Sequence, residues 1–152
     1  MNLNKLSKFL VKAKVNTYAS SGEDGEKILP DGSKEFKFKE GEFKYRDRYF
    51  GFNPFIGEEV VFQKGEVVWG MNYYGKIISE NIPPKQIYQF LQEALKKTTE
   101  DKPFRGPNSF KKDDFEYVNN TKGTFEEFIG QENILYKKQI MYRLNYHGGL
   151  IK

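Results

Sequence analysis

The chain contains no cysteine and only one histidine, His147. The first absence excludes disulfides, thiol nucleophiles and thiolate metal sites. The second leaves no group of imidazoles and acids at metal-ligand spacing, so no metal site is expected. No serine stands in the strained elbow from which a hydrolase nucleophile projects. No Gly-x-Gly turn follows a strand to cradle a phosphate, so no nucleotide or other cofactor is expected. No apolar run is long enough to cross a membrane, and Lys5, Lys8, Lys12 and Lys14 interrupt the first apolar residues, unlike a secretory leader. A cytoplasmic, membrane-free placement is the expectation, and a cysteine-free chain suits a reducing compartment. Charge of one sign is not in large excess: 25 Lys and Arg against 21 Asp and Glu give +4. The charges are interspersed, as on a solvated surface, which argues against direct nucleic-acid binding.

What is present is aromatic and repetitive. Aromatic residues make up 16% of 152 residues, enough for one ordered domain with a sizeable core. Phe55–Gly75 is restated as Phe128–Gly148 at an offset of 73, with eight of 21 positions identical. Average residue usage would give roughly one or two. Phe38, Phe43, Tyr45 and Gly51 match Phe110, Phe115, Tyr117 and Gly123 at an offset of 72. Phe9-Leu10 and Ala13 match Phe90-Leu91 and Ala94 at 81.

Leu3, Leu6, Leu10 and Ala13 fall at helical spacing and predict a helix over about 3–14. Ile87, Phe90, Leu91, Ala94 and Leu95 predict a second, opened by Pro84 and ending near Thr98. Tyr18–Ser33 is polar and glycine-rich and reads as a long loop. Alternation predicts a strand over 43–50 with a short strand before it, then a hairpin of 58–63 and 66–74 around Lys64-Gly65. The fold class is therefore α+β: a helix-strand-strand-strand unit twice, the first copy about 3–75 and the second about 84–149. Together they form one antiparallel sheet of about six strands with both helices on one face. The other face is left free to form a cleft.

A two-residue turn at Lys64-Gly65 sets a register. It puts Val60, Phe62, Trp69, Met71 and Tyr73 against the helices, and Glu59, Val61, Val68, Gly70, Asn72 and Tyr74 on the open face. The second copy then places Leu135, Ile140, Tyr142, Leu144 and Tyr146 inside, and Glu132, Ile134, Met141, Arg143, Asn145 and His147 outside. In that register Glu132 faces Arg143 as an ion pair, whereas Glu59 faces Gly70, which leaves space beside the carboxylate. The competing reading pairs Glu59 with Arg46 or Arg48 on the neighbouring strand. Those arginines share one face and form a candidate clamp for a carboxylate or phosphate, though such groups are more often solvated or paired. His147 reads as a solvent-near histidine on the cleft face.

Tyr45-Arg46-Asp47-Arg48-Tyr49-Phe50-Gly51, Phe55-Ile56-Gly57-Glu58-Glu59-Val60, Trp69-Gly70-Met71-Asn72-Tyr73-Tyr74-Gly75, Phe104-Arg105-Gly106-Pro107 and Tyr146-His147-Gly148-Gly149 resemble the signature of an uncharacterised prokaryotic domain family. The resemblance covers nearly the whole chain. Members of that family occur alone or behind helix-turn-helix DNA-binding domains, which implies a sensing role. The architecture is similar to gyrase-inhibitor-like proteins and the effector-binding domains of multidrug-sensing regulators. Those hold small organic molecules between repeats, often on a buried glutamate. They place a strand ahead of each helix, which this sequence lacks before its first.

The function expected is binding of a small, partly apolar molecule such as a cationic aromatic. Glu59 is its charge partner, Gly70 supplies the space, and Asn72, Tyr74, Asn145 and His147 add polar contacts, with Arg46 and Arg48 nearby. One alternative is a hydrolase or isomerase using Glu59 as acid or base. A second is a nucleic-acid or protein adaptor.

Overall fold

The computed structural model describes residues 2–21 and 25–151. Helix α1 (Leu3–Val15) is capped by Asn2, whose side chain accepts a hydrogen bond from the Lys5 amide. It buries Leu6, Phe9, Leu10 and Ala13. A single helical turn, α2 (Tyr18–Ser21), follows. Helix α3 (Pro84–Leu95) starts at a proline, where the missing N–H costs nothing, and buries Ile87, Tyr88, Phe90, Leu91, Ala94 and Leu95. No helix among the described residues is long and apolar enough to cross a membrane.

The strands are β1 (Lys27–Ile28), β2 (Lys34–Glu40), β3 (Phe43–Gly51), β4 (Phe55–Gln63), β5 (Glu66–Ile77), β6 (Ser109–Lys112), β7 (Phe115–Gly123), β8 (Glu127–Tyr136) and β9 (Gln139–Leu150). All pair antiparallel in one sheet, in the order β1-β2-β3-β4-β5-β9-β8-β7-β6. Among the described residues the sheet therefore has nine strands, not six. Beyond three strands per copy stand β2, the short strand expected before 43–50, and β6, which fold onto β3 and β7 through turns at Gly41 and Asp113, and the short edge strand β1. Both β1 and α2 lie in the stretch read as a loop; residues 22–24 of that stretch lie outside the described residues.

The central seam pairs β5 with β9, and Tyr73 stands directly opposite Tyr146. Outward from the seam the order is mirrored: β4 and β8, β3 and β7, β2 and β6. The helices sit alike on their respective sides. Phe9 meets Phe38 and Phe43 at 5.7 and 5.1 Å, and Phe90 meets Phe110 and Phe115 at 5.5 and 5.0 Å. Gly57 and Gly130 lie under the rings of Tyr73 and Tyr146; a Cβ there would stand 2.6 and 2.1 Å from ring atoms. Neither position has room for a side chain.

One register expectation fails in both hairpins. The turn at Lys64-Gly65 is as predicted, with both residues at positive φ and Gln63 opposite Glu66. A bulge then intervenes, so that Trp69 faces Val61 rather than Val60. The same slip puts Tyr142 opposite Ile134. An extra residue on one strand flips every later side chain of its partner relative to it. Val61, Ile134 and Met141 are consequently buried, whereas Ile140 is exposed. Glu59 and Glu132 move with their strands from the open face to the helix-covered face.

Candidate functional site

Glu59 lies 2% exposed beneath the helices, facing Met71 rather than Gly70. The space at Gly70 is on the far side of the sheet, where an added Cβ would meet Ile151 at 3.3 Å. Neither arginine of β3 reaches Glu59. Arg46 pairs with Glu58 at 2.6 Å, and Arg48 holds Asp31 and donates to Ser33 at 2.8 Å, so the proposed clamp is already closed by neighbouring side chains. The cation on Glu59 is Lys14, brought in by the last turn of α1 through a short charge-assisted hydrogen bond. Arg105, in the loop after α3, places Nη1 at 3.8 Å from the other oxygen of Glu59.

Arg105 is committed more firmly to Glu132, which is 0% exposed. Its Nη2 and Nε donate to the two carboxylate oxygens at 2.6 and 3.1 Å. Tyr117 and Tyr142 donate to the same carboxylate at 2.5 and 3.0 Å. The expected partner, Arg143, instead faces Asn133 across the hairpin and donates to its side chain at 3.2 Å. Burial opposes the charge on Arg105, but the Glu132 carboxylate outweighs it and keeps the guanidinium ionised.

Asp47 is the cross-strand neighbour of Glu59 on the same face and is also buried. It accepts one hydrogen bond, from the Tyr73 hydroxyl to Oδ1 at 2.6 Å. Among the described residues no hydrogen bond reaches Oδ2. Burial, and next the charge of Glu59, push this carboxyl up to about 7. Burial also lowers the Lys14 ammonium and holds the Tyr45 and Tyr73 hydroxyls far above their usual range, so both remain donors.

Lys14, Asp47, Glu59 and Arg105 line one end of a partly open cavity of about 50 Å³. Its remaining wall is mostly aromatic, with Tyr45, Tyr49, Phe52, Phe55, Tyr73 and Tyr88. Phe52 is 45% exposed, while most of the lining is buried, so the mouth opens beside it. Convergent polar groups in an apolar concavity are what small-molecule sites are made of.

The second half has the same positions filled differently. Asn119 stands beside Glu132 as Asp47 stands beside Glu59. Tyr146 donates to Asn119 Oδ1 at 2.8 Å, as Tyr73 does to Asp47. The Asn119 amide then donates to the Gly106 carbonyl at 3.0 Å, and the Gly106 amide donates to the Tyr117 hydroxyl at 3.0 Å. Only glycine lets the loop approach so closely, because a Cβ at 106 would meet that hydroxyl at 2.7 Å. The loop thus covers the second constellation.

The other predicted residues do meet, on the opposite face. Arg48, Asn72, Tyr74, Asn145 and His147 line a wide open groove together with Phe50, Ile56 and Ile129. Gly70 lies in an adjoining depression with Asn72 and His147. Arg46 lines neither. Sequence reasoning missed Asp47, Lys14 and Arg105. Lys14 follows Leu10 by four residues, which sets it on the buried stripe of α1, and Asp47 is matched by Asn119 at the offset of 72. Arg105 sits in a loop and carries no such signal.

No curated protein and no solved structure matches the chain. A family described as a domain of unknown function (DUF5680) matches residues 47–151, which span Asp47, Glu59, Arg105 and Glu132. Those residues are more than half of the chain, and the protein belongs to that family.

Proposed function

We propose that the protein is a small-molecule-binding, sensing domain whose ligand enters the cavity on the helix side of the sheet, not the open groove. One observation carries this reading. The first half keeps an aromatic-walled cavity with a buried acidic end, whereas a loop covers the equivalent place in the second half. In this reading the chain is a tandem duplication, about 3–75 and about 84–149. Support comes from the pairing of Tyr73 with Tyr146: residues 73 apart in sequence can face each other across a seam when a twofold axis passes between them. The likeness to effector-binding domains, the cytoplasmic placement and any coupling to a helix-turn-helix partner belong to the same proposal.

A thermal-shift screen tests it on three proteins: wild type, Ala19→Trp to fill the cavity wall, and Tyr74→Ala in the groove. Compounds that stabilise wild type and Tyr74→Ala but not Ala19→Trp support the cavity. Compounds lost only with Tyr74→Ala would move the site to the open face.

A second reading is favoured by Asp47 alone. A buried carboxyl near 7 suits a general acid or base, so an isomerase or hydrolase would use Asp47 with Glu59 as its neighbour. A ligand recovered intact after hours with the protein separates binding from turnover.

A further inference from the structure

We infer that the cavity selects a molecule bearing a compact protonated amine, which docks on Oδ2 of Asp47, the oxygen that no hydrogen bond from the described residues reaches. The inference rests on the ligand-binding reading above and names the chemistry of its ligand.

The charges set the requirement. Three buried carboxylates, Asp47, Glu59 and Glu132, share two buried cations, and each cation is committed elsewhere: Lys14 to Glu59 and Arg105 to Glu132. Among the described residues Asp47 is left with a tyrosine hydroxyl. The groups facing it are Glu59 from β4, Tyr73 from β5, Lys14 from α1, Arg105 from the loop after α3, and Tyr45 on its own strand. Tyr18 of α2 and Tyr88 of α3 complete the lining. With all five charged groups ionised, the cluster carries one surplus negative charge. A proton on Asp47 removes it, and so would a cation in the cavity.

The second half shows the geometry. There the amide nitrogen of Asn119 finds an acceptor, the Gly106 carbonyl, at 3.0 Å. At the matching atom of the first half Asp47 offers an acceptor instead, and its complement is a donor. Tyrosine and phenylalanine rings line the cavity as well, and an aromatic face attracts a cation. Size limits the group. A space of about 50 Å³ is several times what one water needs, yet well below the roughly 150 Å³ cavity that takes benzene. The ammonium head enters, and any ring stays at the mouth beside Phe52. A whole aromatic ring does not fit inside this cavity.

The step balances simply: an ammonium arrives, the Asp47 carboxyl gives its proton to solvent, and an ammonium–carboxylate pair remains. Because that carboxyl titrates at about 7, it is mostly protonated at pH 6 and mostly ionised at pH 8. The test is calorimetric titration of the full chain with n-butylammonium, tetramethylammonium and n-butanol at pH 6 and pH 8. Two buffers of different ionisation enthalpy count the protons. n-Butylammonium should release about one proton at pH 6 and almost none at pH 8, and bind about tenfold tighter at pH 8. Tetramethylammonium, with no N–H, should bind more weakly. Asp47→Asn, which copies the arrangement around Asn119, should abolish the proton release and weaken n-butylammonium at least tenfold. If that variant does not fold, the proton count on wild type still decides. Absence of proton release at pH 6, or n-butanol binding as tightly as the ammonium, overturns the inference while leaving a cavity ligand standing. Failure of every probe and every screened compound to bind would take the cavity reading down with it.

Discussion

The two halves of the sheet carry a tyrosine, an amide or acid, a glutamate and a second tyrosine at matching places, and they use them differently. In the second half Tyr117, Asn119, Glu132 and Tyr146 are knitted to Arg105 and Gly106 until each buried polar group has a partner. In the first half Tyr45, Asp47, Glu59 and Tyr73 meet Lys14, the outer edge of Arg105 at 3.8 Å from Glu59, and a cavity. The cations differ as well. The guanidinium fork of Arg105 grips Glu132 by two parallel bonds, whereas Lys14 is a point charge on Glu59. An oxygen in place of one nitrogen, together with a loop that covers one side only, separates a closed structural lock from an open acidic pocket.

The largest effect should come from opening the lock. Arg105→Ala leaves Glu132 buried without its cation and removes a neighbour of Glu59, so denaturant melts should lose about 3–5 kcal/mol. A loss below about 1 kcal/mol would mean that the tyrosines alone hold the second half.

Making the first half resemble the second comes next. The Asp47 carboxyl titrates at about 7 when folded and near its ordinary, much lower value when unfolded. Between those values the folded state binds the extra proton, so Asp47 lowers stability as pH rises through that window. Asp47→Asn should therefore stabilise at pH 8, by up to roughly 4 kcal/mol, and do little at pH 4. Asn119→Asp should do the reverse, destabilising most at pH 8. Melts of both variants at the two pH values check the sign; equal shifts at pH 4 and pH 8 would show that charge is not the distinction between the halves.

Lys14→Met sharpens the comparison within the pocket. Its ammonium favours the ionised form of Asp47, so removing it should push that carboxyl above 7, readable by carboxyl NMR titration. The smallest effect belongs to Arg143→Ala. That side chain is half-buried and bonded to an amide rather than to Glu132, so its loss should stay within about 1 kcal/mol.

The helices, the hairpin turns and the antiparallel sheet were legible because each leaves a periodic or glycine-marked trace. The faces were not. In Val60-Val61-Phe62 against Val67-Val68-Trp69, and in Ile134-Leu135 against Ile140-Met141-Tyr142, apolar residues run consecutively, and a one-residue bulge inside such runs leaves no mark in the alternation. Glu59 was singled out on a mistaken opposition to Gly70, yet it does sit at the acidic end of the cavity. Its partners were harder to read. A lysine on an apolar stripe reads as solvent-facing, and Arg105 reaches the centre of the molecule from a loop whose path the sequence does not dictate.

The β5–β9 seam also bears on how the chain folds. The strands it joins are separated in sequence by α3 and all of β6–β8, so pairing them closes a long loop at a cost in chain entropy. Until β9 arrives, β5 presents an unpaired edge of twelve residues that includes Trp69, Met71 and Tyr73. A chain stopped before Gln139 would keep that edge open, and β8 would be a second one. Such a fragment should associate through these edges rather than behave as a smaller version of the domain.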